Sequence, residues 1–166
     1  MLSVRPASVV QINLSSGGVP KLPAPEAVAT RLGLEGDLHN NPTIHGGPKK
    51  ALLWITAEGI EELSAAGFPV YAGALGENLT TRGVDRRELR LGQRWKIGEV
   101  VIELTQIRTP CKTIAVYGKG IGEAVYDAHV QAGDPSSPRW GLSGFYAAVV
   151  QAGTLRAGDA VALLES

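Results

Sequence analysis

The chain has 166 residues and 17.4 kDa, with 16 basic against 16 acidic side chains, 44% hydrophobic residues and a single cysteine. A chain of this length buries roughly two-thirds or more of its unfolded surface, so one domain spanning residues 1–166 needs no disulfide or structural metal to fold. The lone cysteine excludes an intramolecular disulfide framework and a multi-cysteine zinc site, and the scattered, balanced charge argues against a nucleic-acid partner.

At the N-terminus, residues 1–14 contain no long apolar run ending in a small-residue cleavage site. No stretch reaches the roughly 20 apolar residues of a spanning helix, which predicts a cytoplasmic protein with no membrane contact and a reduced thiol. Glycine, 21 of 166 residues, is nearly twice as frequent as the usual ~7% and acts as punctuation between short β-type runs. Strands are expected over residues 8–14, 27–32, 51–56, 94–97, 100–107, 144–151 and 160–164, each apolar and bounded by Gly, Pro, Asn or Asp. Two segments read as helices. Residues 57–66 follow Thr56 as N-cap, carry acids in the first turns and stop at Gly67. Residues 121–132 place Ile121, Val125 and Ala128 on one side and close at Gly133. The chain is therefore expected to be mainly β with a few helices, a barrel or sandwich decorated at its periphery. Leu89-Arg90-Leu91-Gly92-Gln93 and Leu155-Arg156-Ala157-Gly158-Asp159 look like two copies of one glycine turn, each feeding a strand.

Four clusters carry chemistry. Asp37, His39 and His45 can converge on a divalent metal or brace their loop by hydrogen bonds. Gly46-Gly47 before Lys49-Lys50 is either a phosphate cradle of backbone N–H groups or a glycine turn with solvated lysines. Gly76-Glu77-Asn78-Leu79-Thr80-Thr81 fits the edge of a polar heterocycle or closes a turn. Cys111 follows the most apolar strand and lies between Arg108 and Lys112, two cations that favour thiolate, with Pro110 ending the strand. It is either a small buried hydrophobe or a reactive or ligating thiol, and its strand-end position between cations favours the second. His129, on the second helix, reads as a surface or core-edge histidine.

Gly36-Asp37-Leu38-His39, His45-Gly46-Gly47 with Lys50-Ala51, Gly76-Glu77-Asn78-Leu79, Arg108-Thr109-Pro110-Cys111, Gly144-Phe145-Tyr146-Ala147-Ala148-Val149, and Gly153 with Gly158-Asp159 follow one another in an order and spacing that resembles the MOSC family. This is the domain named for the C-terminal part of molybdenum cofactor sulfurases, and the resemblance covers most of the chain. It implies a MOSC-type β-barrel-like domain with peripheral helices and a thiol-centred function. Cys111 would either ligate the molybdenum of a pterin cofactor or carry sulfur as a persulfide. Arg108, Lys112 and Lys49 would clamp the cofactor phosphate, Asn78 would read the pterin edge, and Thr109 would lie against the cofactor. The implied activity is reduction of N-hydroxylated compounds with electrons from a separate reductase. The alternative is a sulfur carrier loaded by a cysteine desulfurase, and a binding module with an incidental cysteine is a third class. No lysine motif for pyridoxal phosphate is present. Gln93 stands where the family often has Asp, a departure expected to be structural because Gln also accepts and donates turn bonds.

Overall fold

The computed structural model describes residues 6–15, 17–38 and 47–165. Apolar runs between glycines and prolines form strands β1 (Ser8–Leu14), β2 (Leu22–Ala24), β3 (Glu26–Thr30), β4 (Gly33–Leu34), β5 (Leu52–Thr56), β6 (Leu79–Arg82), β7 (Arg94–Ile97), β8 (Val100–Ile107), β9 (Phe145–Gln151), β10 (Gly153–Arg156) and β11 (Val161–Glu165). One sheet runs β11-β7-β8-β9-β5-β6-β1-β2, and a second runs β10-β3-β4. β5 and β6 pair in parallel, and helix α1 (Ala57–Ala65) lies in the crossover that such a pair requires. The chain is mainly β with a few helices, as expected, and barrel-like only in a loose sense. The large sheet curls until Ser8 makes a single bridge to Ala160, yet no continuous ladder joins its two edge strands, so it remains open.

β5 explains the layering. Its sequence Leu52-Leu53-Trp54-Ile55-Thr56 is buried at every position, as a central strand covered on both faces must be. Leu52 and Trp54 belong to the main core, with Ile12, Leu79, Ile97, Ile102, Leu104 and Phe145. Ile55 belongs to a second cluster on Ile60, Leu63, Leu75, Ile114, Tyr117, Ile121 and Val125, so the helical segments pack on the opposite face. Trp54 stacks edge-on against Trp95 at 5.3 Å between ring centroids and donates its ring N–H to the Thr81 hydroxyl at 2.8 Å, which satisfies its polar atom inside the core.

Thr56 caps α1 as its hydroxyl accepts from the Gly59 N–H at 3.1 Å. The expected helix over residues 121–132 is instead two short ones, α2 (Ile121–Val125) and α3 (Ala128–Gln131), with Tyr126 extended between them at φ −154°. Asp127 is the cause of the break: its carboxylate accepts from the Val130 N–H at 2.8 Å, an N-cap bond that a continuous helix would not contain. The two glycine turns are alike. The Arg90 N–H donates to Gln93 Oε1 at 3.0 Å, as the Arg156 N–H donates to Asp159 Oδ2 at 2.7 Å, so Gln93 closes its turn as a carboxylate would. The strands they feed, β7 and β11, pair with each other.

A buried polar layer ties β1, β5 and β6 together. Asn78 donates its backbone N–H to the Leu53 carbonyl at 2.9 Å and accepts the Leu53 N–H on its side-chain oxygen at 3.1 Å. Its amide nitrogen donates to the Asn13 carbonyl at 3.3 Å and to Asp37 Oδ2 at 2.8 Å. Asn78→Ala strands a buried N–H and weakens support for a buried carboxylate. It is expected to cost about 2–4 kcal/mol, read as a lower denaturant midpoint at unchanged slope; a loss below about 0.5 kcal/mol would contradict this account.

Candidate functional site at the end of β8

The chain leaves β8 at Ile107 and is held there from both sides. The Arg108 N–H donates to the Gly144 carbonyl at 2.9 Å, and the Ser143 hydroxyl donates to the Arg108 carbonyl at 2.7 Å. Pro110 offers no N–H with which to continue the ladder, so the strand stops and a 3-10 turn over Lys112–Tyr117 follows, anchored by buried Ile114 and Tyr117. Cys111 sits at the junction, half-buried, with its Sγ 2.6 Å from the Thr113 hydroxyl. Burial alone would push this thiol up. Hydrogen bonds from the Thr113 hydroxyl and backbone N–H, together with the Arg108 guanidinium, outweigh it and hold the thiol below its ordinary range.

Arg108 itself is buried, at 4% exposure, and its Nε has no hydrogen-bond partner among the described residues. A guanidinium out of water with an open donor is costly unless something anionic answers it. Its neighbours are the Cys111 thiol, Tyr146 on β9 and Glu77 before β6. Gly76 makes room for it: at φ +87°, an added Cβ would come 3.1 Å from Val19 and 3.9 Å from the guanidinium. Burial raises the Tyr146 hydroxyl above its usual range, opposed by Arg108 and reinforced by Cys111. Lys50 Nζ lies 5.1 Å from the Tyr146 ring centroid, within cation–π reach. Lys49 is exposed, and its carbonyl accepts the Thr105 hydroxyl of β8 at 2.5 Å, which fastens this loop to the same strand as Arg108.

Glu77 is fully buried. Its Oε2 accepts from the Gly73 N–H and the Thr80 hydroxyl, both at 3.0 Å, while Oε1 has no partner among the described residues. Burial pushes its carboxyl up to about 7 against those bonds and the Arg108 charge.

The structure therefore brings Arg108, Cys111, Tyr146 and Lys50 together. Thr109 and Lys112 are exposed beside them, with the Thr109 hydroxyl 3.4 Å from that of Tyr126. Asn78 has a different job from reading a heterocycle edge. It is 2% exposed, and its amide is occupied by Leu53, Asn13 and Asp37. Asp37 is likewise engaged internally, accepting from the Ser15 N–H at 2.9 Å, Lys21 Nζ at 2.7 Å and Asn78. His39, His45 and Gly46 lie outside the described residues. Gly47, at φ +90°, closes a turn in which its carbonyl accepts the Lys50 N–H at 3.0 Å. His129 is an exposed residue of α3, 3.5 Å from Asp134. Among the described residues, no group of three or more His, Cys, Asp or Glu side chains could hold a metal ion, and no helix is long and apolar enough to cross a membrane. Sequence reasoning placed Glu77 in a polar cluster without giving it a role, and it missed Tyr146 and Thr113 as site residues. Of the two missed, Thr113, two positions after the cysteine, had a local signal that could have found it.

YflK of Bacillus subtilis is 32% identical over 151 residues, a match covering 89% of this chain and 63% of that protein. YiiM of Escherichia coli is 36% identical over 90 residues, covering 52% of this chain and 40% of that protein. The chain thus spans less than two-thirds of the length of either relative. The crystal structure of YiiM from Geobacillus stearothermophilus superimposes with a TM-score of 0.70 at 26% identity, covering 96% of this chain and 76% of that one. The family model for the MOSC domain matches residues 41–162, a span that holds β5 to the start of β11 and every residue gathered around the thiol, and the chain belongs to the MOSC domain family.

Proposed function

We propose that Cys111 and Arg108 form the binding centre for a pterin-bound molybdenum cofactor, with the thiolate holding the metal and the guanidinium holding an anionic group beside it. The observation that carries this reading is the buried, unpartnered Nε of Arg108 next to a thiol biased toward its anion. The residues fit the group. A fork of N–H donors answers phosphate or another oxyanion, and a soft thiolate is a fitting ligand for a thiophilic metal. Lys49, Lys112 and Thr109, exposed around this end of the sheet, add point charges and a hydroxyl for the cofactor phosphate. Membership of the MOSC family supports the choice of cofactor. When bound, that cofactor supplies two-electron oxo-transfer chemistry. The substrates would be N-hydroxylated compounds, R–NHOH taking two electrons and two protons to give R–NH2 and water, with a separate reductase as electron donor.

The half-exposed position of Cys111 favours a second reading. Its thiolate attacks the outer sulfur of a desulfurase persulfide, forming Cys111–S–SH and releasing the desulfurase thiolate.

Protein produced in a molybdenum-replete host is expected to carry molybdenum and pterin near one per chain. Cys111→Ser should lose the metal, and Arg108→Ala should retain about tenfold less or lower still, with both variants folded by circular dichroism. A wild-type chain that carries no molybdenum but gains a persulfide from a desulfurase and cysteine would shift the assignment to the carrier, and a chain that does neither would refute both. In the metal-free protein, iodoacetamide at pH 7 should alkylate Cys111 faster than a model thiol, and Thr113→Val should slow the reaction about two- to tenfold by removing a hydrogen bond to the thiolate. A slow wild-type thiol, unaffected by that change, would remove the chemical basis for either role.

A further inference from the structure

The register of β8 against β9 leaves one residue over. Glu103, Leu104, Gln106 and Ile107 face Ala148, Ala147, Tyr146 and Phe145 in turn, and Thr105 is the extra residue of a β-bulge, without a partner on β9. A bulge re-aims the side chain that it carries. Here the Thr105 hydroxyl lies 3.2 Å from the Tyr146 carbonyl and 2.5 Å from the Lys49 carbonyl. A hydroxyl has a single proton to donate, so the shorter contact takes it, and the bond leaves the sheet for the lysine turn. That turn is closed at its base by the Lys50 N–H on the Gly47 carbonyl at 3.0 Å, and at Ala51 the chain is already fully buried on its way into β5. Thr105 pins the stretch in between. Lys50 is held against the same part of the sheet, with its Nζ 5.1 Å from the Tyr146 ring centroid.

Arg108 follows three positions along the same strand end, about 10 Å from Thr105 at the ordinary rise of a strand. Its N–H still meets the Gly144 carbonyl, so it continues the pleat and shares a face with Gln106 and with Tyr146 opposite. The lysine turn and the guanidinium therefore stand on one face, at a spacing set by β8. A lysine ammonium is a point charge on a flexible stem, and its hold on an anion improves when the backbone beneath it is fixed before binding. We propose that Thr105 is a positioning residue for a phosphate subsite on the Gly47–Lys50 turn: by fixing the Lys49 carbonyl, it keeps the exposed Lys49 side chain at a set distance from Arg108. The phosphate end of a phosphomonoester sits on the turn while the other end of the ligand reaches Arg108 and Cys111. The inference rests on the reading of that centre as the seat of a phosphorylated cofactor, and adds the residue that sets the spacing.

The test is a titration of the metal-free full chain with inorganic phosphate at constant ionic strength, followed by NMR of the backbone amides. Phosphate should shift the amides of Gly47, Lys49 and Lys50. Lys49→Ala is expected to weaken binding about five- to tenfold and Thr105→Val about three- to fivefold, while the double variant binds no more weakly than Lys49→Ala alone, because the threonine acts through the lysine. Thr105→Ser, which returns the hydroxyl, should bind within about twofold of wild type. A general loss of stability at the bulge would multiply with the loss of the lysine and would not follow the hydroxyl. Additive losses, or valine and serine variants that bind alike, therefore overturn the proposal. Phosphate that shifts no amide of the turn in the wild-type chain overturns it as well, independently of how any variant folds. Molybdenum content reads the cofactor separately. A coupled response of Thr105 and Lys49 in a chain that takes up no molybdenum leaves the subsite standing while the cofactor reading falls, and uncoupled responses in a chain that binds molybdenum do the reverse.

Discussion

The Cys111 end of the sheet depends on the way Asn78 completes the pairing between β5 and β6. A parallel pair has no hairpin to set its register, and here the side-chain amide of Asn78 accepts the Leu53 N–H while its backbone N–H meets the Leu53 carbonyl. The same amide nitrogen reaches Asp37, which in turn fixes Ser15 and Lys21. One residue thereby sets where β6 begins, how the β1–β2 connection lies, and where Gly76 and Glu77 sit beside Arg108. Networks of this kind are stabilising when every member is satisfied and costly when one is not. This explains why Asn78 is unavailable to a ligand and essential to the place where one would bind.

Against that saturated layer, the unsatisfied atoms stand out. Glu77 Oε1 and Arg108 Nε are buried and bare, while Asn13, Asn78, Thr80 and Asp37 nearby are bonded. Their surroundings are rigid. Gly73, at φ +92°, brings its backbone so close to Lys21 that a Cβ would lie 2.3 Å from the Lys21 carbonyl, and Gly144 is nearly as crowded by Ile55 at 2.8 Å.

Much of this was legible from residue order alone where the signal was local. β1, β7 and β8 begin and end where alternation and glycine punctuation predict, and Thr56 caps α1 as its hydroxyl suggests. Arg108 and Cys111 could be paired because three positions separate them along one strand end. The rest depended on tertiary context. β2, β4, β6 and β10 are too short or too polar to announce themselves, and β2 carries Pro23 at a sheet edge. Asp127 offered the backbone a cap that outcompeted helical periodicity. Asn78 and Asp37 have the side chains of ligand-binding residues, and only burial reveals that their hydrogen bonds are used internally. Tyr146 on β9 and Glu77 just before β6 are remote in sequence from Cys111, so no spacing rule could join them to it.

The break between α2 and α3 has a mechanical side. Because the chain is extended at Tyr126, that ring packs against both the main core and the helical cluster on the opposite face of the sheet. Its hydroxyl stands 3.4 Å from Thr109, on the loop that carries the cysteine. Tyr126 works as a rivet through the thickness of the protein, with its head at the rim of the site. A shift of the cysteine loop at that point bears on the packing of both layers at once, so the stiffness of the rim is borrowed from the whole fold.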